Sequence, residues 1–77
     1  MKKVRKLIIT FNTTTRAMAA GQALDKANVP GKLGSVPGSI RAGCGLAWMG
    51  PPDTREQAER VLKEGGIQYH EMHEQEV

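Results

Sequence analysis

The two halves of this sequence repeat weakly, at an offset of 38 residues. The offset puts Ile8 on Leu46, Phe11 on Met49, Thr15 on Asp53, Ala20 on Ala58, Leu24 on Leu62 and Val29 on Ile67. It runs through an apolar strand-like segment, a helix start, a helical stripe and the turn behind it. A β-α-β unit used twice in 77 residues has few ways to bury its apolar faces. The expected architecture is α+β, a ferredoxin-like βαββαβ sandwich with a four-stranded antiparallel sheet and two helices on one face. A chain of this length supports a single domain, 1–77, burying ~60% of the surface exposed when unfolded.

The elements follow from local chemistry. Residues 4–11, Val-Arg-Lys-Leu-Ile-Ile-Thr-Phe, are β-branched and apolar and predict the first strand. Asn12 and Thr13 to Thr15 can each cap a helix by accepting an orphan backbone N–H. A helix over 14–27 then aligns Ala17, Ala20, Leu24 and Ala27 in one stripe. Asn28 can take the left-handed conformation that ends it, and Pro30 prevents its continuation. A weak strand at 32–36 stops at Pro37, a loop fills 37–43, and Gly45 to Met49 form the third strand. Gly50-Pro51-Pro52 breaks the chain. Asp53-Thr-Arg-Glu56 resembles a capping box with Asp53 as the cap, which starts a second helix over 54–64 that Gly65-Gly66 ends. Ile67 to Met72 are expected as the last strand, leaving the Glu-rich tail, 72–77, frayed.

Cys44 is the only cysteine, and it stands between Gly43 and Gly45 at the mouth of the third strand. Reactivity of a thiol needs thiolate character and exposure together. Flanking glycines leave room around the sulfur and can present successive N–H groups to an anion. The plain alternative is a small buried hydrophobe, the usual setting of a free cysteine. The topology bears on the choice. The loop between strands two and three lies at the same end of the sheet as the junction of strand one and helix one. Cys44 is therefore expected near Asn12, Thr13 and Thr14, where a helix start offers N–H donors and partial positive charge. Arg41, three residues before the thiol, adds a charge that favours its anion.

Other functions find less support. One thiol excludes a disulfide framework and suits a reducing cytoplasm. The apolar run Leu7 to Phe11 is too short for a signal core or a membrane span. The formal charge of +3 comes largely from the basic start, and the tail from Glu71 is acidic. With one Trp, one Tyr and one Phe, stacking surfaces for nucleic acid are sparse. His70 and His73, three apart on a strand, point to opposite faces, and no Cys-x-x-Cys is present, so neither a metal site nor a cofactor is expected. Glu56 and Glu59 sit on a solvated helix face rather than in a pair suited to acid–base work. If Ala47 and Met49 face the helices, Leu46 and Trp48 lie on the open face of the sheet, where they would form a docking patch for a second copy.

The segment Leu7-Ile-Ile-Thr-Phe before a Thr-rich helix start, Asn28-Val-Pro at the helix end, Ser39-x-x-x-x-Cys-Gly-Leu-Ala47 and Gly65-Gly-Ile-x-Tyr69 together resemble the small bacterial selenium/sulfur (Se/S) carrier-like family. The resemblance spans almost the whole chain, and Cys-Gly-Leu-Ala is its most specific part. The chain departs at Gly43, where many members carry serine, and so lacks a hydroxyl there. The resemblance implies a ferredoxin-like domain that is not an enzyme, in which Cys44 carries a persulfide or perselenide. Such a carrier takes its cargo from a donor of the cysteine desulfurase type and passes it to a selenium- or sulfur-using acceptor. A binding or regulatory module with an incidental cysteine, dimerising through its open sheet face, is the other reading that the residues allow.

Overall fold

The computed structural model describes residues 5–35 and 45–76. Strand β1, Arg5–Thr10, leads to helix α1, Thr14–Lys26, and then to β2, Lys32–Ser35. Strand β3, Leu46–Gly50, is followed by a single 3-10 turn at Pro52–Thr54, helix α2, Arg55–Glu64, and strand β4, Glu71–Glu76. The four strands make one sheet in the order β2-β3-β1-β4, and every neighbouring pair is antiparallel. This is the ferredoxin-like βαββαβ arrangement.

The register sorts side chains by face, because successive residues of a strand point opposite ways. Leu7 pairs with Gly50 and Ile9 with Trp48, and Leu33 lies beyond Trp48 on the same row. These residues pack with Phe11, with Ala17, Ala20 and Leu24 of α1, and with Ala58 and Leu62 of α2 to form the core. Alanine at the α1 contacts lets that helix lie close to the sheet. The alternate residues form the open face, where one row runs His73, Ile8, Met49, Lys32 and the next Glu71, Thr10, Ala47, Gly34.

Trp48 is consequently not on the open face. It is 1% exposed and belongs to the core, with Leu46 packed against the same cluster. The reason is steric. The indole needs a slot, and two glycines supply it: a Cβ at Gly31 would lie 2.3 Å from Trp48 Cζ2, and one at Gly50 would lie 2.5 Å from Trp48 Cη2.

The repeat is geometric in the helical half of each unit. The last turn of α1 closes with Ala27 N–H to Ala23 O, Asn28 N–H to Asp25 O and Val29 N–H to Leu24 O. Shifted by 38, the same three bonds close α2, from Gly65 to Val61, Gly66 to Lys63 and Ile67 to Leu62. Asn28 and Gly66 both take the left-handed conformation, at φ 60 and 67, which is how such caps recover orphan carbonyls. In the strands the same offset pairs Phe11 of the core with Met49 of the open face. A displacement by one residue there reverses every side chain.

Two boundaries differ from expectation. Asp53 does not cap α2. Pro51 and Pro52 hold residues 52–54 in the 3-10 turn, the Thr54 hydroxyl donates backwards to Pro51 O at 2.7 Å, and Thr54, which makes no side-chain cap bond, precedes the helix. The last strand is Glu71–Glu76 rather than 67–72. Residues 67–70 are spent on the return from the α2 cap, with Ile67 packed on the core and the His70 N–H bonded to Thr10 O at 2.7 Å. The acidic tail then pairs along all of β1, with Arg5 opposite Glu76. An ion pair of 3.0 Å between Arg55 Nη1 and Glu74 Oε2 ties β4 to α2.

Candidate functional site

One end of the sheet collects the start of α1, the start of β3, the end of α2 and the connection into β4. The antiparallel order dictates this, since β1 and β2 run towards that end while β3 and β4 leave it. Thr10 is opposite Ala47, so the register carried on by two residues brings Asn12 level with Gly45. Asn12 is exposed between β1 and α1. Thr13 is the N-cap of α1, extended at φ −135 and ψ 152, and its hydroxyl oxygen accepts from the Arg16 N–H at 3.1 Å. Thr14 is the first helical residue and is exposed. The first turn of α1 carries no acidic residue, so nothing within it offsets the positive end of the helix dipole.

Gly45 is exposed with φ 76, and a Cβ there would meet nothing within 4 Å among the described residues. The left-handed backbone rather than crowding is what calls for glycine at this point. Arg41, Gly43 and Cys44, with the loop expected over 37–43, lie outside the described residues. Cys44 is one peptide bond before Gly45.

Sequence reasoning missed the second half of this end of the molecule. Asn12 and Arg16 form one wall of a cavity of about 460 Å³. Glu59 and Lys63, one turn apart on α2, form the other, and Ile67, Gln68 and Tyr69 close it. Tyr69 is 38% exposed. Glu59 also meets Arg55, at 3.6 Å between Nε and Oε1. Arg16 and Lys63 make no ion pair among the described residues. The signal was available: in a βαββαβ chain the start of the first helix and the end of the second share one end of the sheet, so a cation in each must approach the other.

Thr10 is a second omission. It is fully buried on the open face, where its hydroxyl accepts from the Glu71 N–H at 3.1 Å and donates to Glu71 O at 3.4 Å. This clamp fixes the start of β4. The histidines beside it also depart from expectation, since His70 precedes the strand. Both imidazoles reach the Glu71 carboxylate, His70 Nε2 at 3.3 Å from Oε1 and His73 Nε2 at 3.1 Å from Oε2. Among the described residues no group of three or more His, Cys, Asp or Glu could hold a metal ion. No helix among them is long and apolar enough to cross a membrane.

Residues 6–74 match the family described as Putative Se/S carrier protein-like. The chain belongs to this family. The match takes in β1, both helices, β3 and the start of β4, together with the segment that carries Cys44. No curated protein and no solved structure matches the chain significantly.

Proposed function

We propose that this Se/S carrier-like protein bears a sulfur or selenium atom on Cys44 and hands it from a donor to an acceptor without catalysing a reaction of its own. What supports the reading is the β1–β3 register, which extended by two residues sets Gly45, next to the sole cysteine, level with Asn12 before an α1 start free of acidic residues. A helix start stabilises a thiolate, and stabilises still more readily the anion of the more acidic persulfide. Arg41 and the backbone N–H groups of Gly43 to Gly45 supply the remaining donors.

Loading is an exchange at sulfur. The Cys44 thiolate attacks the outer sulfur of a donor persulfide R–S–SH, the S–S bond of the donor breaks, and R–S⁻ leaves as Cys44–S–SH forms. A perselenide donor, R–S–SeH, reacts in the same way to give Cys44–S–SeH. No net oxidation occurs. The chain has no other cysteine, so no internal thiol can expel the cargo by forming a disulfide. The donor is of the cysteine desulfurase type, the acceptor uses sulfur or selenium, and the exchange belongs in a reducing cytoplasm.

Intact-mass measurement after incubation with a cysteine desulfurase and cysteine or selenocysteine tests the reading. The wild-type chain should gain one sulfur or one selenium, removable with dithiothreitol, and the Cys44→Ser variant should gain neither. Equal gain by both proteins, or none by either, would overturn it.

A further inference from the structure

The cavity between Arg16 and Lys63 points to a second source of cargo beside a donor of the desulfurase type. We infer that the cavity binds a small peptide thiol bearing two carboxylates and one amine, so that the persulfide of such a molecule can load Cys44 without a donor protein. The inference rests on the carrier reading for its last clause only. The lining accounts for each group of such a ligand. Arg16 and Lys63 approach from different helices, make no ion pair among the described residues, and each can take a carboxylate. Arginine can do so through two parallel hydrogen bonds. Glu59, whose one ion pair among the described residues is an exposed contact to Arg55, is placed for the ammonium group. The carboxamides of Asn12 and Gln68 match peptide N–H and C=O groups, which a simple inorganic anion lacks. Ile67 supplies the apolar wall that a methylene beside sulfur requires.

Size and position agree. A cavity of about 460 Å³ lies within the ~300–1,000 Å³ typical of small-molecule sites. Asn12 belongs both to its wall and to the junction level with Gly45, so a ligand seated there lies at the end of the sheet where Gly45, the residue after Cys44, stands. An acidic protein surface would match the two cations, but it would leave Glu59 facing like charge.

The test separates the pocket from the carrier chemistry. Titration of the Cys44→Ser protein with S-methylglutathione, which cannot exchange sulfur, reads the pocket alone by calorimetry or by chemical shifts of Arg16, Lys63 and Tyr69. Saturable binding should weaken at least tenfold in Arg16→Ala/Lys63→Ala. It should be largely restored by Arg16→Lys/Lys63→Arg and be unchanged in Arg60→Ala on the same helix. S-methylcysteine, with one carboxylate, should bind more weakly. No saturable binding, or binding that the double substitution leaves intact, overturns the inference even if a desulfurase loads Cys44 normally. If binding follows this pattern but no persulfide loads wild-type Cys44, the pocket stands and the carrier reading fails.

Discussion

Replacing Gly50 by alanine should destabilise the fold through the indole of Trp48. The new Cβ would lie 2.5 Å from Pro30 O, 2.5 Å from Trp48 Cη2 and 2.9 Å from Trp48 Cζ3. Carbon atoms in contact normally stand ~3.5–4.0 Å apart, so the ring must retreat by about 1 Å. The Gly31 backbone also lies against the ring, where a Cβ would stand 2.3 Å from Trp48 Cζ2, so the indole cannot shift in that direction. Overpacking of this kind costs ~1–3 kcal/mol. Taking ~2 kcal/mol, and ~4–8 °C per kcal/mol for a domain of this size, the melting temperature should fall by roughly 8–16 °C. Trp48 is the only tryptophan, so its fluorescence during urea unfolding reports the change, as a midpoint lower by roughly 1–2 M for a slope of ~1–2 kcal/mol/M. Gly34→Ala is the control. Among the described residues a Cβ there meets only the terminal methyl of Met49, at 3.4 Å, and the substitution should be neutral or stabilising. Equal midpoints for the two variants would refute the slot argument. So would failure of Trp48→Leu, followed by circular dichroism, to reduce the incremental cost of Gly50→Ala.

Further predictions concern the end of the sheet that holds the candidate site. Thr10→Val removes both hydrogen bonds to Glu71 and should cost ~1–3 kcal/mol, with amide exchange rising first at Glu71 and His70. Thr13→Ala deletes the cap bond to Arg16 and should lower stability by ~0.5–2 kcal/mol in urea titrations, without preventing loading of Cys44. Alkylation by iodoacetamide across a pH series should give Cys44 an apparent pKa below the usual ~8.5 of a free cysteine; a thiol that reacts only after denaturation would exclude the accessible-thiolate argument. Arg41→Ala should slow loading about two- to fivefold, in keeping with ~0.3–1 kcal/mol for one exposed charge, and a rate unchanged or reduced a hundredfold would contradict that role.

What the sequence discloses about this fold depends on the period of each element. Ala17, Ala20 and Leu24 mark α1 and Ala58 and Leu62 mark α2, because a helical stripe tolerates small errors of phase, and the two caps repeat at the offset of 38 bond for bond. Strands have a period of two and no such tolerance. Whether Trp48 or Met49 faces the helices turns on a single residue, and the sequence states that choice only through Gly50, two residues beyond the tryptophan, and Gly31, which is distant from it along the chain. The last strand was displaced because Ile67 and Tyr69 look like strand residues. In the fold, Ile67 is needed to seal the α2 cap, and Thr10 claims Glu71 as the first strand residue. Asn12, Thr13 and Thr14 could be anticipated at the junction from topology. Arg16 and Lys63 needed the further step of setting the two helix ends side by side.

The central claim, that Cys44 holds a transferable chalcogen, is tested most directly by isolating the loaded protein free of its donor and mixing it with an acceptor thiol. The reaction is followed by intact mass. The account predicts that the mass returns to that of the unloaded chain as one equivalent of sulfur or selenium appears on the acceptor, and that Cys44→Ser has nothing to release. A wild-type chain that never gains the atom, or that keeps it in the presence of excess thiol, would contradict the account.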